Sequence, residues 1–247
     1  PNFVQHDDGE FVVINPHDSN DTTYLDDNVI HGIHSGGNFQ HGMQIFHVQG
    51  ENGACHYLLR RNVVGDTTLD ASTTPDLLFS TQNGSASNVA TLFEFVDQYN
   101  YGLLEDNVIG GVQVSSDASG NYLEFQALRL INCRDSTVVQ RNVFGGRNQP
   151  NAFYISADQS GTAEFLYQNF SGSQKALRYE ENVFQHITYA GDYDAELQFF
   201  RTVNTASDFD HLRILRDTIR QLHIGGSGNT RVYGFFFESN LDSITMD

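Results

Sequence analysis

Lysine is almost missing from this chain of 247 residues: twelve of its thirteen basic residues are arginine, and Lys175 is the single lysine. With 31 acidic residues the formal charge is −18, which excludes the clustered cationic surface that a phosphate backbone rewards. Long apolar runs are missing as well. None approaches the roughly 18 to 20 residues of a spanning helix, and no basic-then-apolar leader opens the sequence. The expectation is a mature soluble chain with no nucleic acid partner and no membrane span. Amphipathic runs of helix length are also lacking, because the apolar stretches last about four to six residues and end in Gly, Asn, Asp or Ser. Helical repeats are therefore excluded. Two cysteines, Cys55 and Cys133, are too few for a disulfide framework.

What the sequence does contain is a repeat. An apolar lead-in, two polar or charged residues and then Asn-Val recur at Asn28, Asn62, Asn107, Asn142 and Asn182, with a drifted copy at Asp217. A second series, Asn15, Gln49, Asp97, Asn132, Asn169, Asn204 and Asn240, ends a short apolar strand in each copy. Four residues before each stand Phe11, Ile45, Phe93, Leu128, Phe165, Phe200 and Phe236, all large and apolar. A pocket filled once per repeat is what stacked turns require. Two marked strands, a third variable one and a loop of changing length predict an all-β fold, a single right-handed parallel β-helix of about seven coils. A β-propeller of about 40 residues per blade is the alternative. Residues 1–247 read as one domain, with a lead-in at 1–10, coils at 11–240 and a tail at 241–247.

The residue before each ladder position alternates in sign: Asp27, Arg61, Asp106, Arg141, Glu181 and Arg216. In a β-helix these stack about 4.8 Å apart on one outer face, where alternation pairs charges and uniformity would repel. The ladder asparagines are expected to hydrogen-bond along the stack at an inward-turning corner. Both series read as structural. The same geometry places Cys55 and Cys133 two coils apart, about 9 to 10 Å between Cα atoms, so two free, buried thiols are expected.

These stacked aromatic and asparagine ladders resemble the right-handed parallel β-helix superfamily of pectate lyases, alginate lyases, mannuronan epimerases and phage tailspikes, over roughly Phe11 to Asn240. The resemblance implies architecture and transfers no activity. Asn15-Pro16-His17-Asp18 is similar to the Asp-Pro-His-Asp segment of mannuronan C5-epimerases, with Asn15 in place of the first aspartate. It implies His17 as acid or base and Asp18 as its partner; the same residues also read as a turn. Lys175, beside Arg178, Glu180 and Glu181, is vaguely similar to the segment around the catalytic lysine of calcium-binding alginate and chondroitin lyases. It reads equally as a solvated turn lysine.

Seven of ten histidines, His6, His17, His31, His34, His41, His47 and His56, fall in the first 56 residues without any zinc-binding spacing. His47 is expected to face inward as a hydrogen-bonded core histidine. Acid pairs, notably Asp192 with Asp194 and Asp208 with Asp210, are loop candidates for Ca2+, and a solvating acidic surface explains them as well. Sequons at Asn20, Asn83 and Asn169 permit glycosylation, Asn169 being the worst acceptor. Tyr101, Tyr122 and Tyr189 are expected on the surface, where they can stack on sugar rings. The candidates do not compose a catalytic centre. The expected function is therefore an extracellular structural or adhesive module, one that self-associates through its coil ends or contacts polysaccharide. The alternative is a polysaccharide lyase or uronate C5-epimerase acting on an anionic glycan.

Overall fold

The computed structural model describes residues 9–14, 22–37, 43–49, 56–81, 88–97, 101–116, 123–133, 135–146, 149–157, 161–170, 174–191, 195–204, 209–238 and 244–246. Among them every regular element is a β-strand, and no helix is long and apolar enough to cross a membrane. The strands build three parallel sheets that form the sides of a solenoid. The first sheet stacks seven: Gly9–Ile14, Met43–Gln49, Asn88–Val96, Leu123–Ile131, Gly161–Phe170, Ala195–Asn204 and Thr230–Glu238. The second stacks Thr22–Asp26, His56–Arg60, Gly102–Glu105, Ser136–Gln140, Gln174–Glu180, Phe209–Leu215 and Ile244–Met246. In the third, two short strands per turn, such as Val108–Ile109 and Val112–Ser116, merge into one in Val183–Gly191, on which Thr218–Gly225 lies. Every pairing joins corresponding strands of successive turns in parallel, whereas propeller blades would be antiparallel. Five turns have a neighbour on both sides in the first two sheets, with a further turn at each end. That is close to the seven coils expected.

The corners explain why these residues can turn so sharply. Asp27, Arg61, Asp106, Arg141, Glu181 and Arg216 all adopt left-handed backbone, with φ between 54 and 58°. Such conformations cost a non-glycine residue of order 1 kcal/mol or more. The cost is offset because the next residue is the ladder asparagine and the corner backbone is bonded from turn to turn, as in Arg61 N–H to Glu105 O at 3.0 Å and Val63 N–H to Asn28 O at 2.8 Å. Glycine is required a few residues after this corner, where the chain turns again. A Cβ on Gly65 or Gly145 would lie 1.8 Å from Gly110 O or 1.7 Å from Gln185 O.

Stacked apolar side chains fill the interior, but the expected aromatic column is really two. Phe46, Phe93, Leu128, Leu166, Phe200 and Phe235 are in register, and the preceding residues Ile45, Leu92, Ala127, Phe165 and Phe199 also face the core. The first sheet bends where two successive residues turn inward, so a fixed four-residue offset selects now one column, now the other, and at Phe236 it misses both: Phe236 pairs with Arg201 on the outer face, and Phe235 holds the core position. The second series slips the same way: Asn169 is paired with Ile131, and Gln49 with Val96. Rings stack along the columns, with Phe46 to Phe93 at 5.0 Å, Phe165 to Phe199 at 5.4 Å and Phe144 to Phe184 at 5.0 Å. Tyr189 belongs to this core, contrary to its expected surface position, because Ile155 and Ile224 stack on it inside the third sheet. Cys133 is buried, its thiol 3.7 Å from Phe95 O and 3.6 Å from Ile131 O; Cys55 lies outside the described residues.

Candidate ligand-binding face

The asparagine ladder runs in one direction. The backbone N–H and Nδ2 of Asn28 both donate to Asn62 Oδ1, at 3.0 and 2.9 Å. Asn62 does the same to Asn107, Asn107 to Asn142 and Asn142 to Asn182. The other Nδ2 hydrogen turns back to a carbonyl of the turn before: Leu25, Leu59, Leu104 and Val139 in succession. Beside this ladder, Arg61 grips Asp27 at 2.7 and 2.6 Å, Arg141 grips Asp106 at 2.9 Å, and Arg216 lies 2.9 Å from Glu181. A neighbouring column adds Arg60 to Asp26, Arg141 to Glu105 and Arg216 to Glu180. These residues hold the fold together, and their exposed charges are paired.

The sequence-predicted site residues are not brought together. His17, Asp18, Asp192, Asp194 and Asp208 lie outside the described residues, as do Tyr122 and the sequons at Asn20 and Asn83. Lys175 sits within the strand Gln174–Glu180, not in a turn before it, and Asp210 within Phe209–Leu215, not in a loop. Both side chains lie outside the described set. His31 and His34 are exposed, and no three His, Cys, Asp or Glu side chains gather as a metal site among the described residues.

A different constellation covers the outer face of the first sheet. One column in strict register is His47, Glu94, Arg129, Tyr167, Arg201 and Phe236. His47 thus faces outward, because Phe46 and Val48 on either side fill the core. Its Nδ1 lies 2.7 Å from Glu94 Oε2, while Arg129 reaches Glu94 Oε1 at 3.1 Å and Gln44 donates to Oε2 at 3.2 Å. Burial disfavours the Glu94 carboxylate, but these donors outweigh it and hold its pKa below the usual carboxylate value. Further along, Arg129 and Arg201 lie over the Tyr167 ring at 6.0 and 5.5 Å, and Arg201 lies 5.8 Å from the Phe236 ring.

The adjacent outer column is Gln44, Thr91, Gln126, Glu164, Gln198 and Tyr233. Thr91, Gln126, Glu164 and Gln198 alternate with core residues and yet are fully buried. Glu164 takes Gln126 Nε2 at 2.6 Å and the Arg201 guanidinium, and burial still raises its pKa. Thr91 Oγ1, Gln126 Oε1 and Gln198 Oε1 are buried without a hydrogen-bond partner. Such atoms cost about 1 to 3 kcal/mol each unless something satisfies them. They form a row of acceptors beside an Arg-Tyr-Arg-Phe stack.

Sequence reasoning did not single out this face. Its only trace is a polar residue between apolar ones in each copy, as in Phe125-Gln126-Ala127 and Ala163-Glu164-Phe165. Comparison with family models, with curated proteins and with solved structures gave no match.

Proposed function

We propose that this chain is an extracellular β-solenoid module that binds polysaccharide along the outer face of its first sheet. The observation that carries the reading is the row of buried, unpartnered acceptors on Thr91, Gln126 and Gln198, flanked by the Tyr167 and Phe236 rings. Sugar hydroxyls are donors that suit such acceptors, and pyranose rings present apolar faces to aromatic side chains. Among the described residues of this face, Arg129 and Arg201 are engaged by Glu94 and Glu164, so neither is a free cationic clamp for a uronate. With −18 overall, a neutral glycan is the better match.

Calorimetric titration against neutral and uronate polysaccharides, with and without calcium, tests this. Binding of a neutral glycan that falls about tenfold or more in Tyr167→Ala, with the melting temperature kept, supports the reading. Binding to none of the glycans, or equal binding by the variant, defeats it. Ultraviolet absorbance of an unsaturated uronate during incubation would favour a lyase instead.

A further inference from the structure

On the outer side of the second sheet, apolar residues stand where a solvated face calls for polar ones. Tyr24, Leu58, Leu103, Val138, Arg178 and Arg213 are in strict register. They face outward, because Tyr57, Leu59, Leu104, Thr137 and Val139 beside them are buried. The first four make an apolar stripe four turns long, whereas outward positions of the first sheet carry Glu94, Thr91, Gln126 and Arg129. Tyr24 is 62% exposed, Leu58 and Val138 are half-buried, and Tyr101, just before Gly102, adds a ring 38% exposed. A continuous apolar stripe on an outer face marks a contact surface.

Charge selects the occupant and its orientation. The next outward column is Asp26, Arg60, Glu105, Gln140, Glu180 and Leu215, and beside it runs the alternating corner column from Asp27 to Arg216. These three columns hold six arginines and six acids, so the face is neutral on a chain of −18. It is the side on which a second copy meets least repulsion. A two-fold axis parallel to the strands reverses the order of the turns. Placed between the turns of Leu58 and Leu103, it sets Leu58 against Leu103 and Tyr24 against Val138. The same operation sets Arg60 against Glu105, Arg61 against Asp106 and Asp27 against Arg141. Those charges are already paired within their own chain, so the alternation fixes register by avoiding repulsion while the apolar stripe supplies the attraction. An axis passing through a rung would oppose like charges in the corner column. A two-fold along the solenoid would oppose Arg178 to Arg178 and Arg213 to Arg213.

We infer that the outer face of the second sheet is a two-fold contact between two copies of this chain, packed side by side in opposite directions. The contact is isologous and therefore closed at a dimer. It leaves the outer face of the first sheet open and is independent of the glycan-binding reading.

Sedimentation velocity of the full chain over a range of concentrations, with small-angle scattering, tests the contact. The expected result is a dimer that does not grow further and whose longest dimension falls well short of twice that of the monomer. Leu58→Glu is expected to leave a monomer with an unchanged circular dichroism spectrum. Tyr24→Ala, at an exposed position that the fold does not need, is expected to raise the dissociation constant about tenfold. Gln113→Glu adds the same charge to the outer face of the third sheet, where Val112 and Val114 fill the core, and is expected to leave the dimer intact. A chain that is monomeric at every concentration overturns the inference. So does mass that keeps growing beyond a dimer, or a dimer that tolerates both Leu58→Glu and Tyr24→Ala. A monomer that loses glycan binding on Leu58→Glu would assign the stripe to glycan and overturn it as well.

Discussion

The hydroxyl of Tyr57 lies 3.2 Å from the hydroxyl of Thr137, two turns further on, and reaches it across Gly102. The ring is fully buried and stacks on Phe95 at 4.3 Å, so it occupies the space that a side chain on the intervening turn would need. A Cβ at residue 102 would stand 2.0 Å from Tyr57 Cζ. Glycine here serves close approach, not an unusual φ.

Gly102→Ala is accordingly expected to destabilise the fold by about 3 kcal/mol, the scale of overpacking in a rigid core. Pairing it with Tyr57→Leu should recover part of the loss. Urea melts of both single variants and the double variant measure this, and simple additivity would show that the ring is not what glycine accommodates.

Asp217 ends the ladder with the wrong chemistry for an ionised group. Its Oδ1 accepts the Asn182 N–H at 2.7 Å, but its Oδ2 is buried without a partner, where the preceding rungs place a donating amide. Burial pushes its pKa up to about 6, and the charge of Glu181 adds to the rise. The folded state thus holds this proton more tightly than the unfolded chain, so the associated stability is full below about pH 4 and is lost as pH rises through 6. Asp217→Asn should therefore stabilise the protein by about 2 kcal/mol at pH 7.5 and by much less at pH 4. Thermal melts across that range decide; a gain that is larger in acid would reverse the assignment.

In the middle of the ladder, Asn107 donates to Asn142 Oδ1 and Leu59 O and accepts two bonds from Asn62. Asn107→Ala leaves buried Asn62 donors and a carbonyl unsatisfied and is expected to cost about 3 kcal/mol or more. Asn28→Ala, on the exposed first rung, should cost under about 1 kcal/mol because water replaces it. Equal losses in chemical denaturation would argue against a cooperative ladder.

Arg141→Glu would set a carboxylate between Asp106 and Glu181, beside Glu105. These side chains are largely solvated, so the loss should be about 1 kcal/mol at low salt and should shrink at high salt. Denaturation midpoints at the two ionic strengths supply the comparison. A loss independent of salt would assign Arg141 a packing role.

The sequence by itself determined the solenoid, because the ladder positions, five asparagines and Asp217, recur at intervals of 34, 45, 35, 40 and 35 residues and those intervals are the spacings of the observed Asn–Asn and Asn182–Asp217 hydrogen bonds. The alternating charges beside them were legible for the same reason: a corner residue has one fixed direction, outward. Tertiary structure alone decided which of two adjacent apolar residues belongs to which column, as with Phe165 and Leu166, since both turn inward at the bend of the first sheet. A one-residue shift in a strand also moves every side chain to the opposite face. That is why His47 reads as a core residue from sequence and stands on the outer face in the fold. It is also why Glu94, Gln126, Glu164 and Arg201, spread over 108 residues, become neighbours only once the turns are stacked.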